Sequence, residues 1–264
     1  MNAFTSLIKR HSLITFFLLA YALSWWPSLI EAHSILGLGP FLAALIVLSL
    51  TSGKAGLLDF IRRIGRWRVG LPWYALVLGL PVILNLVAAG FNVLLGASAP
   101  TLDRVPPLAD FIPTLLFVFL MIGIGEEPAW RGFALPRLIT GRPMLVGILL
   151  LWGLHVLWHL PLFGLEFDSK NGLPWALGLL GFTFITTWLY QHTDGNLLLP
   201  TLFHTALNMT AKYIFNPFFA GVDLIQMYWL WGALWLVSAL VLYRFWPTNR
   251  QLMAAEGLEQ ISEV

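Results

Sequence analysis

The sequence has little charge. Only 11% of its 264 residues are charged, whereas a typical soluble domain has about 25%. Hydrophobic residues make up 58% of the chain, and the mean hydropathy is +0.79. So few polar residues cannot cover a surface that faces water, and a disordered chain would have far fewer apolar residues. The composition excludes a soluble globular protein and a disordered chain, and it indicates a protein whose solvent is lipid.

Cysteine is absent. Its absence excludes disulfides, thiolate metal sites and a thiol nucleophile. Any chemistry must therefore come from carboxylates, imidazoles or hydroxyls. The chain has 15 Lys and Arg residues against 13 Asp and Glu residues, a net charge of +2. The basic residues are spread along the chain and form no basic face. A nucleic-acid partner is therefore not expected.

Eight stretches of the chain lack Asp, Glu, Lys and Arg, and most reach the roughly 20 residues that span a bilayer. These stretches are 11–30, 32–53, 69–102, 111–125, 143–165, 171–193, 195–211 and 224–243. We predict an all-α membrane protein, a polytopic bundle of about eight transmembrane helices that forms a single domain, 1–264. The first stretch is interpreted as an uncleaved membrane anchor, and 69–102 as one long or tilted helix.

The distribution of basic residues predicts the orientation. With the N-terminus inside, most Lys and Arg residues fall in cytoplasmic loops, as the positive-inside rule requires. Both termini are therefore expected in the cytoplasm, with the protein in a bacterial inner membrane. Between the second and third spans, 54–68 has apolar residues at helical spacing between basic ones, which predicts an amphipathic helix at the membrane interface. A polar tail is expected from about Thr248.

Two adjacent carboxylates follow the fourth stretch, in the sequence GIGEEPAWRGF. On a helix, Glu127 and Arg131 share a face and can pair, whereas Glu126 points about 100° away and is left without Arg131 as a partner. A desolvated, unpaired carboxylate is suited to act as a general base near neutral pH. The alternative is that the glutamates only mark the cytoplasmic end of this span.

Histidines occupy two other spans. His155 and His159 are one helical turn apart, as are His204 and Asn208. The simpler interpretation of each histidine is a buried imidazole bonded to backbone or water, and it is the preferred one for His155. A rise of 1.5 Å per residue places Glu126, His159 and His204 within about 4 Å of the membrane centre, so the three can converge.

A carboxylate, imidazoles and an amide donor are suited to amide hydrolysis by activated water. His155 and His159 could also bind Zn²⁺ together with a glutamate of the fourth span. The glutamate of the usual HExxH zinc motif is missing, however, because residue 156 is Val. A divalent metal is thus left open but is not the favoured interpretation.

Three motifs carry a resemblance to a known family. EExxxR followed by RGFALPRL, then LWHLPLF, then HxxxN occur in this order on the fourth, fifth and seventh spans. This set resembles the CPBP family, which contains CAAX prenyl proteases and bacteriocin-processing proteins. The resemblance implies an intramembrane, glutamate-dependent endopeptidase with its catalytic core at about 110–210. Its substrate would be a membrane-associated peptide or protein, prenylated or not.

The resemblance also implies roles for single residues. Glu126 would activate the water, and His159 would position or deprotonate it. The other implied roles are stabilisation of the oxyanion by His204 and Asn208, and support of the site by Glu127 and Arg131. Position 155 departs from the family, which usually has Phe or Trp there, so His155 either packs or adds a second imidazole and raises the metal question again.

Two other functions compete with the peptidase. The first is a non-catalytic membrane scaffold or immunity-type protein of the same fold, although the intact set of site residues argues against it. The second is a transporter in which buried Glu and His residues relay protons. The two halves of the chain show no matching pattern of broken or charged helices, which disfavours a carrier built from repeats.

Overall fold

The computed structural model describes residues 3–30, 34–101, 104–164 and 166–246. These residues form ten helices and no strand. The helices are α1 (Ala3–Arg10), α2 (Ser12–Trp25), α3 (Gly39–Thr51), α4 (Gly53–Ile64), α5 (Leu71–Leu94), α6 (Leu108–Ile139), α7 (Met144–Trp158), α8 (Gly172–His192), α9 (Leu198–Phe218) and α10 (Gly221–Arg244). The predicted all-α polytopic membrane fold is confirmed.

Each of the eight predicted spans corresponds to one of these helices, namely α2, α3 and α5 to α10. Five of these are long and apolar enough to cross a membrane: α2 with the 3₁₀ turn that extends it to Leu29, α5, α6, α8 and α10. Helices α3 and α7 are apolar but shorter. Helix α9 has 21 residues, but its polar residues make it less apolar than these five helices. The stretch 69–102 holds a single long helix, as predicted, and the predicted tail lies outside the described residues.

The predicted amphipathic segment is helix α4, which ends at Ile64 rather than near residue 68. Its Phe60 is fully buried and stacks on Phe41, with ring centroids 6.0 Å apart. Lys54 and Arg62 are exposed. Helix α4 therefore has an apolar face that packs on the bundle and a basic face that is free, while its position at a membrane surface stays a prediction.

The buried side chains form two hydrophobic clusters. One joins α2, α3, α6 and α7 and contains Phe16, Phe133 and Trp158. The other joins α5, α8, α9 and α10 and contains Phe182 and Trp235. Helix α6 packs against α3 on one side and α9 on the other, so side chains at successive positions of α6 reach different clusters.

Helix α6 is longer than the predicted span 111–125, and the difference concerns the charged residues. Its helical run covers 32 residues, and Glu126, Glu127 and Arg131 lie inside it, each no more than 3% exposed. The glutamates therefore lie well inside the helix rather than at its end. The helix continues because these charges are compensated within the bundle rather than by water.

Glycines allow α8 and α10 to pack closely. A Cβ atom at Gly181 would collide with the backbone carbonyl of Trp235, and one at Gly178 with the ring of Trp231. Small residues at such a crossing let two helices approach in lipid, where packing replaces the hydrophobic effect as the source of association. This crossing holds α8 and α10 together in the hydrophobic cluster that also contains α9.

We expect Gly181→Ala to lower the free energy of unfolding by about 1–3 kcal/mol, the usual cost of overpacking. The matched control is Gly153→Ala, because a Cβ there meets no atom within 4 Å and alanine is the better helix former. Thermal unfolding of both variants in detergent micelles measures the difference. Equal midpoints for the two variants would contradict the close crossing of α8 and α10.

Candidate active site

The two glutamates occupy one α-helical turn between two wider turns of α6. Gly125–Glu127 is α-helical, whereas Val118–Ile124 and Pro128–Ala134 are π-helical. Pro128 has no N–H to donate to the carbonyl of Ile124, so the regular ladder cannot pass through this point. The helix widens here instead of breaking, and π-turns of this kind are frequent at functional sites.

Glu126 is held by a histidine and a tryptophan. Its Oε2 lies 2.9 Å from Nε2 of His155 and accepts a longer hydrogen bond, 3.4 Å, from the indole N–H of Trp130. Glu126 is therefore bonded to these two residues and not to Arg131, and only the expectation that its carboxylate is unpaired is wrong. The preferred interpretation of His155, a buried imidazole bonded to backbone or water, is also wrong, because its Nε2 contacts the Glu126 carboxylate directly.

His159 completes this group, which we call the Glu126 cluster: Glu126, His155 and His159. One ligand atom from each residue lies within 4.8 Å of the others. The Nδ1 atom of His159 bonds to the backbone carbonyl of His155 at 3.0 Å, so a proton on Nδ1 leaves Nε2 with a free lone pair. The structure thus places a carboxylate and two imidazoles at one point.

Aromatic rings enclose His159 on the side of the loop that follows α7. The ring of Trp175 lies 4.9 Å from the imidazole and stacks on Phe167. The loop is held by Asp168, which accepts backbone N–H bonds from Lys170 and Asn171. These two bonds lower the pKa of Asp168, so the loop keeps its shape at neutral pH.

Glu127 is the centre of a second group. Its Oε1 accepts a hydrogen bond from Arg131 at 3.1 Å and lies 2.9 Å from Nδ1 of His204. Arg131 also donates to the hydroxyl of Thr186 and lies over the ring of Phe182. We call Glu127, Arg131 and His204 the Glu127 cluster. The predicted pair of Glu127 and Arg131 is present and fully buried.

Asn208 lies one turn after His204 on α9. Its side-chain amide donates to the backbone carbonyl of His204 at 3.2 Å, and the residue is half-buried. One N–H of the amide remains for another acceptor. Asn208 is thereby tied to the same turn of α9 as the imidazole of His204.

The structure thus divides the predicted residues between the two faces of α6. Glu126 contacts His155 of α7. Glu127 contacts His204 of α9, and its partner Arg131 contacts Thr186 of α8. Trp130 was missed, although its spacing of four residues from Glu126 is a local signal that could have found it. Thr186 gave no such signal, since it contacts Arg131 only through the packing of α8.

An apolar cavity of about 610 Å³ lies elsewhere, between α5, the start of α6 and α9. On α9 its lining includes Leu202, Ala206, Met209 and Tyr213. These positions are on the helix face opposite His204, because α-helical residues are 100° apart. The cavity is thus lined by hydrocarbon away from the polar clusters, and it contributes no chemistry to the site.

The Glu126 cluster matches the donor set of a transition metal. Two histidines and one carboxylate are a common set of protein ligands for catalytic zinc, with a fourth position open. The Nδ1 bond of His159 to a backbone carbonyl is the usual outer contact of a metal-bound histidine. The residues present therefore fit a divalent ion such as Zn²⁺, which Glu126, His155 and His159 would hold.

These features define a class: a helical integral membrane protein with glutamates and histidines buried between its spans. Residues 108–210 match the family described as type II CAAX prenyl endopeptidase, Rce1-like. The chain is also 26% identical over 142 residues to "CAAX prenyl protease 2" of Methanococcus maripaludis, an alignment that covers half of each protein. The chain thus spans about half the length of this curated relative. The two findings confirm the predicted resemblance to the CPBP family.

We expect Arg131→Met to destabilise the protein by about 3–5 kcal/mol, since it leaves Glu127 as a buried charge without its guanidinium. The double variant Glu127→Gln, Arg131→Met should recover part of this loss, because it removes both charges. Arg142→Met, at an exposed position, is the control. Thermal unfolding in detergent, followed by size-exclusion chromatography, measures all three. Arg131→Met as stable as the wild type would contradict the buried pairing of Arg131 with Glu127.

Proposed function

We propose that the protein is an intramembrane endopeptidase that hydrolyses a peptide bond of a membrane-associated peptide or protein. The observation that carries this proposal is the Glu126 cluster, where a carboxylate and two imidazoles meet between spans of an apolar bundle. The match of residues 108–210 to a CAAX endopeptidase family supports it, as does the similarity to CAAX prenyl protease 2 of Methanococcus maripaludis.

In the proposed reaction, Glu126 accepts a proton from a water molecule, and the hydroxide oxygen attacks the carbonyl carbon of the scissile bond. The C–N bond of the tetrahedral intermediate then breaks, and the departing nitrogen takes the proton from Glu126. A general base of this kind contributes about 10²–10⁴-fold to the rate. The base is restored at the end of each cycle, and water is the only co-reactant.

His155, in α7, and His159, directly after it, have separate roles in the proposed reaction. The neutral His155 donates its Nε2–H to the carboxylate of Glu126 over the 2.9 Å contact and fixes its orientation. His159 uses Nδ1 for a backbone bond, and its Nε2 lone pair can accept a hydrogen bond from the water. His155 is thus a positioning residue, and His159 orients the nucleophile.

His204 and Asn208 would stabilise the oxyanion. Because Nδ1 of His204 is engaged with Glu127, only the imidazolium form has a second N–H, at Nε2, to offer. The free N–H of Asn208 is a second donor on the same turn of α9, and two donors are a common number for an oxyanion hole. Glu127 and Arg131 would thus act through His204.

The substrate would be a peptide that the membrane presents to the site. The glutamates lie within a helix long and apolar enough to cross a bilayer, so the scissile bond must come to the helices rather than to an open aqueous cleft. A CAAX-type tail with a covalent isoprenoid meets this condition, since the lipid holds the peptide at the membrane. Prenylated peptides are therefore the first substrates to test.

We expect Glu126→Gln to lower the rate of peptide cleavage by at least 10²-fold and to leave folding intact, because glutamine keeps the size but cannot accept the proton. The control is Glu166→Gln, at an exposed carboxylate in the loop after α7. Purified proteins are incubated with prenylated and unprenylated quenched-fluorescent peptides, and the products are identified by mass spectrometry. Full activity of Glu126→Gln would overturn the role of Glu126. Failure of the folded wild type on every peptide would favour a non-catalytic scaffold.

Chelation tests whether the proposed activation of water by Glu126 requires a metal ion. If water is activated by Glu126 alone, exhaustive treatment with EDTA and phenanthroline should leave the cleavage rate undiminished. The measurement is the initial rate before and after treatment, with the residual metal content determined by mass spectrometry. A rate that falls with metal content and returns with added Zn²⁺ would show that the metal, not the free carboxylate, activates the water.

A further inference from the structure

We propose that Glu126, His155 and His159 bind one divalent transition-metal ion of the Zn²⁺ type, and that the bound ion inhibits the peptidase by occupying the carboxylate of Glu126. The inhibitory effect rests on the proposed function. The metal site itself rests only on the positions and chemistry of the three side chains, and it can be tested whether or not the protein cleaves peptides.

The distances between the ligand atoms of the cluster are close to those around a bound zinc ion. One ligand atom from each residue lies within 4.8 Å of the others. In a tetrahedral zinc site with bonds of about 2.0–2.1 Å, neighbouring ligand atoms are about 3.4 Å apart. Side-chain shifts of about 1 Å are sufficient to close the difference. His155 lies in the last turn of α7 and His159 directly follows that helix, with its Nδ1 bonded to the carbonyl of His155.

The surroundings orient the ligands before any ion arrives. His159 is held at Nδ1 by the carbonyl of His155, which leaves Nε2 for the metal. The ring of His155 lies between Trp130 and Trp158, 5.0 and 6.0 Å away. Trp130 also bonds to the Glu126 carboxylate. Such outer contacts hold metal ligands in place and reduce the cost of binding.

The donor types select the kind of ion. Imidazole nitrogen suits Zn²⁺, Cu²⁺ and Ni²⁺, whereas Ca²⁺ requires six to eight oxygen ligands and Mg²⁺ keeps several waters in an octahedron. Three protein ligands leave a fourth position for water or substrate. The fully buried His155 is the residue that raises the ligand count from two to three.

The same geometry explains the expected inhibition. A metal bound to Glu126 takes the lone pair with which the carboxylate would accept a proton from water. It also replaces the hydrogen bond between His155 and Glu126. Binding the ion and acting as general base are therefore alternatives for one carboxylate, and removal of the ion restores the base.

The site is tested with Co²⁺ as a probe, using protein purified without a histidine tag and freed of metal. We expect the wild type to bind one Co²⁺ per chain, with the intense visible absorption of a four- or five-coordinate ion, and Zn²⁺ to displace it. His155→Phe should bind at least 10²-fold more weakly. The control His192→Phe removes an exposed histidine that stacks on Trp188 and should bind as the wild type does.

A second variant guards against misfolding of His155→Phe. Glu126→Gln keeps both histidines but removes the anionic ligand, and its affinity should also fall by at least 10²-fold. Both variants are checked by size-exclusion chromatography. No Co²⁺ spectrum for the folded wild type, or wild-type affinity in folded His155→Phe, would overturn the site.

The inhibition is tested on the wild type with a cleavable peptide. Zn²⁺ should lower the rate with half-inhibition at the dissociation constant from the Co²⁺ competition, and EDTA should restore it. Binding without loss of rate would overturn the inhibitory role alone. An enzyme that is inactive until Zn²⁺ is added would overturn both that role and the metal-free mechanism. If no peptide is cleaved, the proposed function fails while the spectrum still decides the site.

Discussion

The compensation of the charge on Glu127 is the constraint on which the rest of the site depends. A carboxylate fully removed from water costs several kcal/mol unless it is paired and bonded. Glu127 meets this requirement with one guanidinium and one imidazole on a single oxygen. The arginine comes from the next turn of α6 and the histidine from α9, so the pairing also fixes how these two helices pack.

Because Glu127 takes the arginine, Glu126 is left with neutral partners. An indole N–H and an imidazole orient a carboxylate without placing a full positive charge beside it, in contrast to a guanidinium. Two chemically identical residues, adjacent in the chain, thus have opposite electrostatic settings. Helical geometry is sufficient to separate them, and the two hydrophobic clusters on either side of α6 supply the two environments.

The helices and the buried polar residues of the candidate site were largely predictable, because spans and buried charges are marked by local composition. The pair of Glu127 and Arg131 follows from a spacing of four residues. The contact of His155 with Glu126 was not predictable in this way, since it depends on the rotation of α7 relative to α6. The charge-free stretch 111–125 is shorter than α6 for a related reason. Counting charges ends the stretch at Glu126, whereas partners on other helices allow the helix to continue.

The packing of Gly125 has a consequence for how the sequence can change. A Cβ atom at this residue would collide with the carbonyl of Gly37, in the turn before α3. This close contact fixes the rotation of α6 about its own axis. Insertion of one residue between Gly125 and Glu126 would turn the second half of the helix by about 100° relative to this contact. Glu126 would then take the direction that Glu127 has now, and Glu127 would no longer point toward His204. The chain can therefore vary its side chains around this point more easily than it can vary its length.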